Sequence, residues 1–419
     1  MRVLILSQHF WPETFRINEV AHSLREAGCS VEVLTGQPNY PDGVLFPGYR
    51  AFSMGCEDFD GIPVHRVPLM PRGRPGALRL IGNYLSFIAS ASLVGPWALR
   101  GRPYDLIFVY GTSPILQAIA ALVLRLFKQC PVAVWVQDLW PQSLQVTGYV
   151  NNPRVLSVVA AVVSWIYRRS DLLLVQSNSF VSSVAPMAGR TPVEVHPNPG
   201  ERAFQRGPQG TAALTLAPGF NVVFAGNLGT VQALDTVIAA AAMLRDEPQV
   251  RFVLIGSGSR GDALQAETAR LGLDNVQFVG RFPPEAMPGL LVQASALLVS
   301  LSHDEILAQT IPSKVQAYLA AGRPVIASLD GEGARVVEQA GAGVTCPAED
   351  AGALAGAVRQ LLHSSPDVLQ QMGRRGRIYY EAHFDPATLA QRLARRFKQL
   401  AGDRVDRPKP GREVESDNG

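Results

Sequence analysis

The sequence predicts an α/β protein built from two similar, doubly wound domains, and three observations support that prediction. Short apolar runs alternate with helical patterns along most of the chain, which is the order that produces parallel sheets. A segment rich in proline and glycine near residue 200 separates two such series. Only 17% of the residues are charged while 47% are hydrophobic, as expected when strands are buried on both faces.

The first domain opens with a strand, a helix and a second strand. The strands are "RVLILS" (2–7) and "VEVLTG" (31–36), and the helix between them spans 14–27. The apolar face of that helix consists of Ile17, Val20, Ala21 and Leu24. A β-α-β unit implies parallel strands joined by a right-handed crossover. Further strands of this domain are predicted at 106–110, 132–137 and 172–177.

The second series follows "VEVHPNPG" (193–200), which we interpret as the start of a linker. Its strands are predicted at 221–226, 250–256, 276–280, 296–300, 324–328 and 343–346. The predicted organisation is an N-terminal domain over 1–198, a linker over 199–218, a C-terminal domain over 219–384, a helix over 385–401 and a disordered tail over 402–419. Ligands of open α/β sheets bind at the carboxyl ends of the strands, so we expect the site where the two domains face each other across a cleft.

Composition excludes several classes of function. Lys and Arg number 38 against 35 Asp and Glu, a net charge of +3, which does not indicate nucleic-acid binding. The four cysteines lie far apart with no CxxC pair, as in a reducing compartment. The first residues lead directly into a strand, so no signal peptide is expected and the predicted location is cytoplasmic.

The stretch "IPSKVQAYLAAGRPVIAS" (311–328) predicts a helix that begins near Ser313 and ends at Gly322. Lys314 then lies in the first turn, where the helix dipole disfavours a cation. Two interpretations are open. The side chain is either solvated and points away, or it binds an anion such as a phosphate together with the helix N-terminus.

The segment "GSGSRG" (256–261) matches the pattern G-x-G-x-x-G between a strand and a helix. A dinucleotide site would also need an acidic residue after the next strand, where this chain has Arg281. The glycines Gly256 and Gly258 therefore indicate either close approach of the backbone to a nucleotide or a plain tight turn.

Asp58 and Asp60 form the D-x-D pattern of "EDFDG" (57–61), which in principle could bind a divalent metal. The following "DGIPVHRVP" is typical of a turn that enters a strand, where carboxylates are common. We therefore assign both aspartates to a turn, and we expect neither a metal nor another cofactor.

Polar residues follow two predicted strands of the first domain. Asp138 and Trp140 come directly after the strand at 132–137, and we predict that they face the ligand rather than cap a turn. The loop after the first strand carries four more candidates, His9, Glu13, Thr14 and Arg16. A histidine there is suited to act as a base or to contact a sugar, although a lone loop histidine more often does neither.

With these residues assembled, the sequence resembles the family 4 glycosyltransferases of the GT-B fold over nearly all of the chain up to about residue 400. The stretches that carry the resemblance are "SQHFWPETFRINEVA", "VLTGQPNYPDG", "VWVQDLWPQSL", "FAGNLGTVQALDTVI", "IPSKVQAYLAAGRPVIA" and "DGEGARVVEQAGAGVTCPAED". More narrowly, it is similar to the bacterial surface-polysaccharide branch, which includes WbuB-like L-fucosamine transferases and colanic-acid glycosyltransferases.

The resemblance implies retaining transfer from a nucleotide-sugar donor held by the C-terminal domain to an acceptor on the N-terminal domain. For this branch it implies a UDP-linked N-acetylated hexosamine such as UDP-L-FucNAc as donor. The implied acceptor is a lipid-linked saccharide or an oligosaccharide of O-antigen, capsule or exopolysaccharide biosynthesis. The implied location is the cytoplasmic face of the bacterial inner membrane.

The chain departs from the family pattern at four positions. Most members carry an arginine and a lysine that hold the diphosphate, where this chain has Asn227 and Gln232. Most also carry two glutamates, where this chain has Gln309 and Ala317. Because the usual cations are missing, Lys314 becomes the best candidate to stabilise the leaving diphosphate.

The predicted site combines the motifs described above with what the family resemblance implies. The catalytic candidates are Lys314, for the leaving group, and Asp138, to orient or deprotonate the acceptor hydroxyl. The donor-binding candidates are Asn227, Gln232, Gly256, Gly258, Arg281, Ser313, Gly331, Glu332 and Gly333. The acceptor-side candidates are His9, Glu13, Thr14, Arg16 and Trp140. Three alternatives stay open: a nucleotide-sugar 2-epimerase, an NAD(P)-linked oxidoreductase and a non-catalytic scaffold of the same fold.

Two apolar segments of the first domain raise the question of a membrane. The segment 78–102 has about 20 uncharged residues, the length needed to span a bilayer. It also contains Asn83, Gly95 and Pro96 and lies between two strands of one sheet, so a buried helix or an interfacial helix is expected instead. A second apolar helix, predicted over 155–169, ends in arginines and would add to the same membrane-facing surface.

Overall fold

The structure, a computed structural model, describes residues 1–73, 76–146, 152–204 and 214–405 of the 419-residue chain. It divides into two compact units. The N-terminal unit comprises Met1–Val175, Val181–His196 and the chain from Ala390 onward. The C-terminal unit comprises Gln176–Phe180 and Pro197–Leu389.

The N-terminal unit contains an eight-stranded sheet in the order β3-β4-β2-β1-β5-β6-β7-β8. Its strands are β1 Arg2–Leu6, β2 Ser30–Thr35, β3 Gly55–Phe59, β4 Ile62–Arg66, β5 Leu106–Gly111, β6 Val132–Val136, β7 Leu172–Val175 and β8 Val193–Val195. The helices up to residue 188 are α1 Arg16–Glu26, α2 Ala77–Leu93, α3 Gly95–Ala98, α4 Ala118–Lys128, α5 Gln142–Val146, α6 Pro153–Arg169 and α7 Asn178–Ala188. All strand pairs are parallel except β3 with β4.

Buried apolar strands account for the agreement with the sequence prediction in this unit. Every residue of β5 and of β6 is buried, as expected for parallel strands covered on both faces. The sequence assignment missed a strand at 193–195, near the end of the predicted N-terminal domain. This segment is the edge strand β8, whose half-exposed pattern lacks the continuous apolar run of a central strand.

The C-terminal unit contains a six-stranded, fully parallel sheet in the order β11-β10-β9-β12-β13-β14. Its strands are β9 Phe220–Ala225, β10 Val250–Ile255, β11 Val276–Gly280, β12 Ala296–Ser300, β13 Val325–Ser328 and β14 Gly343–Cys346. The remaining helices are α8 Leu234–Met243, α9 Gly261–Arg270, α10 Met287–Leu291, α11 Ser313–Ala321, α12 Glu332–Ala340, α13 Ala351–Leu362, α14 Pro366–His383 and α15 Pro386–Val405. The strand order reverses between β9 and β12, and a doubly wound sheet opens a crevice for ligands at such a point.

Alternating side chains of β9 explain why this sheet is covered on both faces. Val223 and Ala225 belong to one apolar cluster, whereas Val222 and Phe224 belong to another. The two clusters lie on opposite sides because successive side chains of a strand point to opposite faces. Both domains are therefore doubly wound and Rossmann-like, as predicted.

The helix predicted over 385–401 is α15, and from Ala390 it belongs to the N-terminal unit. Its apolar residues in the core of that unit are Leu393, Ala394, Phe397 and Leu400. The ring of Phe397 lies 5.1 Å from that of Phe108 in β5, and Arg396 pairs with Glu194 of β8 at 2.8 Å. Residues 402–405 of the predicted tail lie in α15, and 406–419 lie outside the described residues.

The predicted linker over 199–218 is described only in part. It contains a single 3₁₀ turn at Arg202–Phe204, and residues 205–213 lie outside the described residues. The segment 78–102 forms α2 and α3. No helix in the described part of the chain is both long enough and apolar enough to cross a membrane.

Candidate active site

The C-terminal unit contains a pocket of about 640 Å³ at the carboxyl ends of its strands. Its walls come from the loops that follow β9, β10 and β11 and from the first turn of α11. Six of the residues predicted from the sequence line this pocket: Asn227, Gly256, Gly258, Arg281, Ser313 and Lys314. They come from four separate segments of the chain, and the fold brings these segments together around one pocket.

Lys314 lies in the first turn of α11, as the sequence predicted. Pro312 is the N-cap residue and no side chain caps the helix, so the first N–H groups of α11 have no side-chain acceptor. Burial lowers the pKa of the Lys314 ammonium from its usual value. The ammonium lies 5.0 Å from the centre of the Phe224 ring and pairs with no carboxylate among the described residues. A half-buried cation beside open N–H donors is suited to bind an anion.

Gly226 gives the Lys314 side chain its path into the pocket. The residue has φ 145°, a conformation that side-chain-bearing residues rarely adopt. A Cβ atom built at this position would lie 2.5 Å from Cε of Lys314 and 3.0 Å from its Nζ. Glycine is therefore required here both by the backbone and by the approach of the lysine.

The glycines of "GSGSRG" are explained by contacts within the protein. A Cβ atom on Gly256 would lie 1.8 Å from the carbonyl oxygen of Gly226, and one on Gly258 would lie 2.5 Å from the carbonyl oxygen of Leu228. Backbone hydrogen bonds join the same two loops, including Leu228 N–H to the Ser257 carbonyl at 3.0 Å. Close approach between the protein's own loops thus accounts for these glycines, and their predicted approach to a nucleotide stays a prediction.

Tyr318, one turn after Lys314, ties α11 to the end of β9. Its hydroxyl accepts a hydrogen bond from the Ala225 N–H at 2.8 Å and is fully buried, and this burial raises the pKa of the phenol. The contact fixes the distance between the Lys314 backbone and the loop at Gly226.

Four other predicted donor contacts lie outside this pocket. Gln232 follows the loop after β9, and its buried Oε1 accepts no hydrogen bond from a described residue. Glu332 is only 3% exposed and accepts hydrogen bonds from the N–H and hydroxyl of Ser179 and from Arg335. Gly331 and Gly333 pack tightly against the segment that leads into α11: Gly331 against the backbone of Ala308, and Gly333 against the ring of Pro312. Donor binding by these four residues stays a prediction.

In the N-terminal unit, Asp138 and Trp140 lie just beyond β6 and both contact the loop after β5. Oδ2 of Asp138 accepts the Ser113 N–H at 2.7 Å, and Nε1 of Trp140 donates to the Ser113 hydroxyl at 2.9 Å. Trp140 is buried, whereas Asp138 is half-buried. Both the cap and the ligand-facing interpretation fit this geometry, because one carboxylate oxygen holds the loop and Oδ1 accepts no hydrogen bond from a described residue.

His9 and Glu13 form a buried pair in the same unit. Nδ1 of His9 lies 2.9 Å from Oε2 of Glu13, and Nε2 lies 3.2 Å from Nη2 of Arg72. Since an arginine can only donate, Nε2 accepts and the Nδ1–H group donates to Glu13. The other oxygen of Glu13 accepts the N–H groups of Asn39 and Tyr40, each at 2.7 Å.

The remaining two residues of that group are not part of this pair. Thr14 is exposed, and Arg16 begins α1 and pairs with Glu19 at 3.2 Å. We had predicted a polar loop for all four residues. The structure instead buries His9 and Glu13, at 2% and 1% exposure, because together they anchor the loop at residues 39–40.

The aspartates of "EDFDG" lie in the β3–β4 hairpin, as the turn assignment predicted. Oδ1 of Asp58 accepts the Gly61 N–H at 2.7 Å, and Asp60 has φ 51°. No group of three or more histidine, cysteine or carboxylate ligands that could hold a metal occurs within the described ranges.

Comparison with known proteins places both halves of the chain in one family. Residues 14–199 match the model of the glycosyl transferase 4-like domain, and residues 219–364 match that of glycosyl transferases group 1. The chain is 26% identical over 342 residues to the putative colanic acid biosynthesis glycosyl transferase WcaI of Escherichia coli K12, covering 77% of this chain and 82% of that one. The chain belongs to the family 4 glycosyltransferases.

Other relatives agree with this assignment. The probable glycosyltransferase WbjE of Pseudomonas aeruginosa is 24% identical over 292 residues, covering 65% of this glycosyltransferase and 68% of WbjE. Among solved structures, sucrose-phosphate synthase from Thermosynechococcus elongatus has a TM-score of 0.71 at 19% identity, covering 96% and 99% of the two chains. Anabaena HepE in complex with UDP and glucose has a TM-score of 0.65 at 17% identity, covering 95% and 100%. These structures share the GT-B fold.

Two features of the glycosyltransferase pocket escaped the sequence analysis. Glu201 lines the pocket from the segment that we had assigned to the linker, where a single carboxylate gives no periodic signal. The apolar wall consists of Phe204, Ile255, Phe282, Pro284, Met287 and Leu291. These residues read as ordinary core residues, and only their convergence on one cavity distinguishes them.

Proposed function

We propose that this glycosyltransferase transfers a sugar from a nucleotide-sugar donor, with retention of configuration, and that the donor nucleotide binds in the pocket of the C-terminal unit. The observation that carries the proposal is Lys314, a half-buried cation without an anionic partner among the described residues, at the uncapped start of α11. A nucleoside diphosphate offers an anion for Lys314 and a planar base for the apolar wall of the same pocket.

In the proposed reaction, the bond between the anomeric carbon and the diphosphate oxygen breaks, and negative charge grows on the leaving oxygen. Lys314 and the first N–H groups of α11 stabilise that charge electrostatically. Arg281, which is exposed on the rim of the pocket, adds a second positive charge. The acceptor hydroxyl attacks from the same face as the leaving group, so no covalent intermediate with the enzyme forms.

Asp138 is the proposed group that orients the acceptor hydroxyl or takes its proton. Its Oδ2 atom accepts the Ser113 N–H, which fixes the carboxylate, while Oδ1 accepts no hydrogen bond from a described residue. Asp138→Asn should keep the Ser113 contact, since an amide oxygen also accepts. The substitution should lower turnover because an amide cannot take the proton.

For the donor and the acceptor we propose a UDP-linked N-acetylated hexosamine, such as UDP-L-FucNAc, and a lipid-linked or saccharide acceptor of surface-polysaccharide synthesis. The similarity to WcaI, whose name refers to colanic acid biosynthesis, and the resemblance to WbuB-like transferases support this choice. The comparisons give no support to the epimerase alternative.

A panel of nucleotide sugars tests the proposed function. UDP-, GDP-, ADP- and dTDP-linked hexoses and N-acetylhexosamines are each added at about 100 times a trial Kd, where a true ligand raises the unfolding free energy by about 2.7 kcal/mol. Stabilisation by one nucleotide series, lost in Lys314→Met, supports the proposal. If no compound stabilises the protein, the nucleotide-donor assignment is wrong.

Turnover is proposed to be independent of metal ions, because a helix N-terminus and a lysine can neutralise a diphosphate without a divalent cation. Activity should persist after treatment with a chelator. Loss of activity that magnesium or manganese restores would contradict the leaving-group model.

The proposal includes a docking surface for an anionic membrane on the N-terminal unit, formed by α2, α4 and α6. The helix α2 buries Phe87 and Ala91 on one side, whereas its opposite side exposes a stripe of apolar residues to solvent. The exposed stripe, continued into α3, consists of Leu78, Ile81, Leu85, Leu93 and Trp97. A helix that is apolar on its solvent-facing side is typical of an interfacial helix.

The neighbouring helices extend this surface. The helix α4 packs against both α2 and α6, and exposed apolar residues on α4 and α6 are Leu126, Phe127, Val155, Val158 and Trp165. None of these helices contains an acidic residue, although α6 ends in Arg168 and Arg169. An acid-free, apolar face bordered by arginines complements anionic lipids, which suits a lipid-linked acceptor and a peripheral location on the cytoplasmic face of the inner membrane.

Flotation with vesicles tests this surface. Binding to vesicles that contain anionic phospholipid is expected at low salt and should weaken in Leu78→Glu/Leu85→Glu, where two exposed positions of α2 become acidic. The control Ile378→Glu changes an exposed apolar residue on α14 of the other unit. Equal binding by the wild type and the α2 variant, or no binding of the wild type to the anionic vesicles, would show that this face does not contact lipid.

A further inference from the structure

We propose that Glu201 binds the ribose hydroxyls of the donor nucleotide, so that the enzyme selects ribonucleoside diphosphate sugars over their deoxyribose counterparts. This inference rests on the proposed function, because it presumes that the pocket holds a nucleotide. It concerns a specificity-determining contact that the sequence pattern of the family does not predict.

The first observation is the charge distribution of the pocket. Among the described residues that line it, Lys314 and Arg281 are cations and Glu201 is the one carboxylate. A carboxylate repels a diphosphate, so a negative charge in an anion-binding pocket reduces affinity unless the ligand donates hydrogen bonds to it. A nucleoside diphosphate consists of a base, a ribose and two phosphates. The phosphates only accept hydrogen bonds, whereas the ribose offers two neighbouring hydroxyl donors.

The second observation is the state of the Glu201 side chain. It is half-buried, and it forms no ion pair or side-chain hydrogen bond with a described residue. Its backbone carbonyl accepts the Phe204 N–H at 3.1 Å, which closes the 3₁₀ turn and fixes the Glu201 backbone. The half-buried Asp138 holds a backbone loop in this way, and the buried Glu332 holds an arginine. Glu201 has no such role among the described residues.

The third observation is the place of Glu201 in the pocket wall. The turn that follows it packs against α10 and α11, and Phe204 belongs to the same apolar cluster as Met287 and Tyr318. Ala317 of α11 also lines the pocket, at a position where the family pattern has a glutamate. The pocket therefore retains a carboxylate, which is supplied from a different segment of the chain. Carboxylates bind ribose hydroxyls in dinucleotide sites by the same geometry, since two oxygens match two adjacent donors.

Binding of paired nucleotides tests the inference. UDP, GDP and ADP are compared with their 2′-deoxy counterparts by isothermal titration calorimetry, and the tightest pair is carried forward. We expect the wild type to bind the ribonucleotide about 10-fold or more tightly than the deoxynucleotide, as for loss of one hydrogen bond to a charged group. In Glu201→Ala the ratio should fall to near 1, chiefly because the ribonucleotide binds more weakly.

Two controls make the result specific. Glu285→Gln removes a carboxylate from the exposed turn beside Pro284, outside the pocket lining, and it should keep the wild-type ratio. Glu201→Gln keeps the shape of the side chain and one acceptor, so its ratio should lie between those of the wild type and the alanine variant.

The other outcomes overturn either the inference or its premise. If Glu201→Ala weakens both members of the pair equally, or weakens only a nucleotide sugar and not the free nucleotide, Glu201 does not bind the ribose and only this inference fails. If none of the three diphosphates binds the wild-type protein, the inference fails. If no nucleotide sugar of the panel, the dTDP-linked compounds included, stabilises the protein either, the proposed function fails as well.

Discussion

The charged residues at the strand ends of the two units differ in what they contact. In the N-terminal unit, His9, Glu13 and Asp138 each have a partner within the unit. In the C-terminal pocket, Lys314 and Glu201 have no charged partner among the described residues. Both sets lie at the carboxyl ends of parallel strands, so position alone does not distinguish them.

The difference suggests a rule: whether a charged group has a partner within the protein indicates whether it stabilises the fold or binds a ligand. Removing one partner of a buried, paired charge destabilises the fold, because it leaves an uncompensated group in the interior. A partly buried charge without a partner costs stability in the free protein, so it is retained where a ligand supplies the partner. The two units should therefore respond in opposite ways to removal of a charge.

The largest effect is expected for Lys314→Ala. Turnover should fall on the order of 10²-fold or more, by analogy with removal of one electrostatic donor to a developing negative charge. Nucleotide affinity should fall less, because the charge on the leaving oxygen is greatest in the transition state. Steady-state kinetics and calorimetric titration measure the two quantities.

Lys314→Arg and Lys314→Met sharpen this prediction. The arginine should restore only part of the turnover, because its planar guanidinium group does not replace a compact ammonium group at a crowded helix end. The methionine keeps the packing beside Gly226 and should raise the melting temperature, since it removes a partly buried charge that has no partner among the described residues. Lys398→Met, at an exposed lysine of α15, is the control for both. Wild-type turnover in Lys314→Met would mean that the lysine is merely solvated.

Glu13→Gln should have the opposite effect in the N-terminal unit. The amide group cannot accept hydrogen bonds from His9 and from the N–H groups of Asn39 and Tyr40 all at once, so one buried donor loses its acceptor. We expect a loss of about 1–3 kcal/mol in the free energy of unfolding. Thermal denaturation measures it, while calorimetry should show unchanged nucleotide affinity.

The control for this prediction is Glu19→Gln, which removes an exposed carboxylate from the same segment. Its ion pair with Arg16 is on the surface, and the expected change is at most about 0.5 kcal/mol. An equal effect of the two substitutions would contradict the structural role of the His9–Glu13 pair.

Gly226→Ala tests whether nucleotide affinity depends on the position of the Lys314 side chain beside Gly226. The new Cβ atom would overlap Cε of Lys314 and force the lysine to move, and the backbone at φ 145° adds strain of about 1–3 kcal/mol. We expect nucleotide affinity to fall about 10-fold, in proportion to a displaced charge-assisted hydrogen bond. Calorimetric titration with the best nucleotide measures the change.

Gly356→Ala provides the matched control within the same unit. Gly356 lies inside α13 with an ordinary helical backbone and open space around a built Cβ atom. That substitution should stabilise the protein by about 0.5–1 kcal/mol and leave affinity unchanged. If both alanine variants bind the nucleotide like the wild type, Lys314 does not depend on Gly226.

The smallest effect is expected from pH. Because burial lowers the pKa of Lys314, the free protein loses this charge at a pH below the ordinary lysine value of 10.5, and nucleotide affinity should decline as the pH rises through that window. The unfolded chain binds the proton more tightly than the folded one there, so the free energy of unfolding should rise with pH. Both trends should vanish in Lys314→Met. A pH-independent difference between the variants would show that Lys314 has an ordinary pKa.

The fold could be predicted from the sequence because parallel strands buried on both faces appear as unbroken apolar runs. Exposed edges were harder, and β8 was missed since its side chains are only partly buried. The helix start at Ser313 and its Gly322 end were predicted correctly, because caps depend on local chemistry.

The site was predictable only in part, since its chemistry depends on which segments meet. Lys314 could be identified from a local conflict between a cation and a helix dipole. Arg72 and Glu201 come from loops without periodicity, and their proximity to His9 and to the pocket is a property of the folded chain. Whether a charge has a partner is likewise invisible in the sequence, although that property best separates the two units.

The position of α15 has a consequence for how the chain is made. Phe397 and its neighbours complete the core around Phe108, yet they are translated only after the whole C-terminal unit. The part of the protein that leaves the ribosome first is therefore the last to be finished. A nascent chain that stops before residue 390 would leave the apolar surface that α15 covers exposed on its N-terminal unit. Chaperones and proteases bind such surfaces.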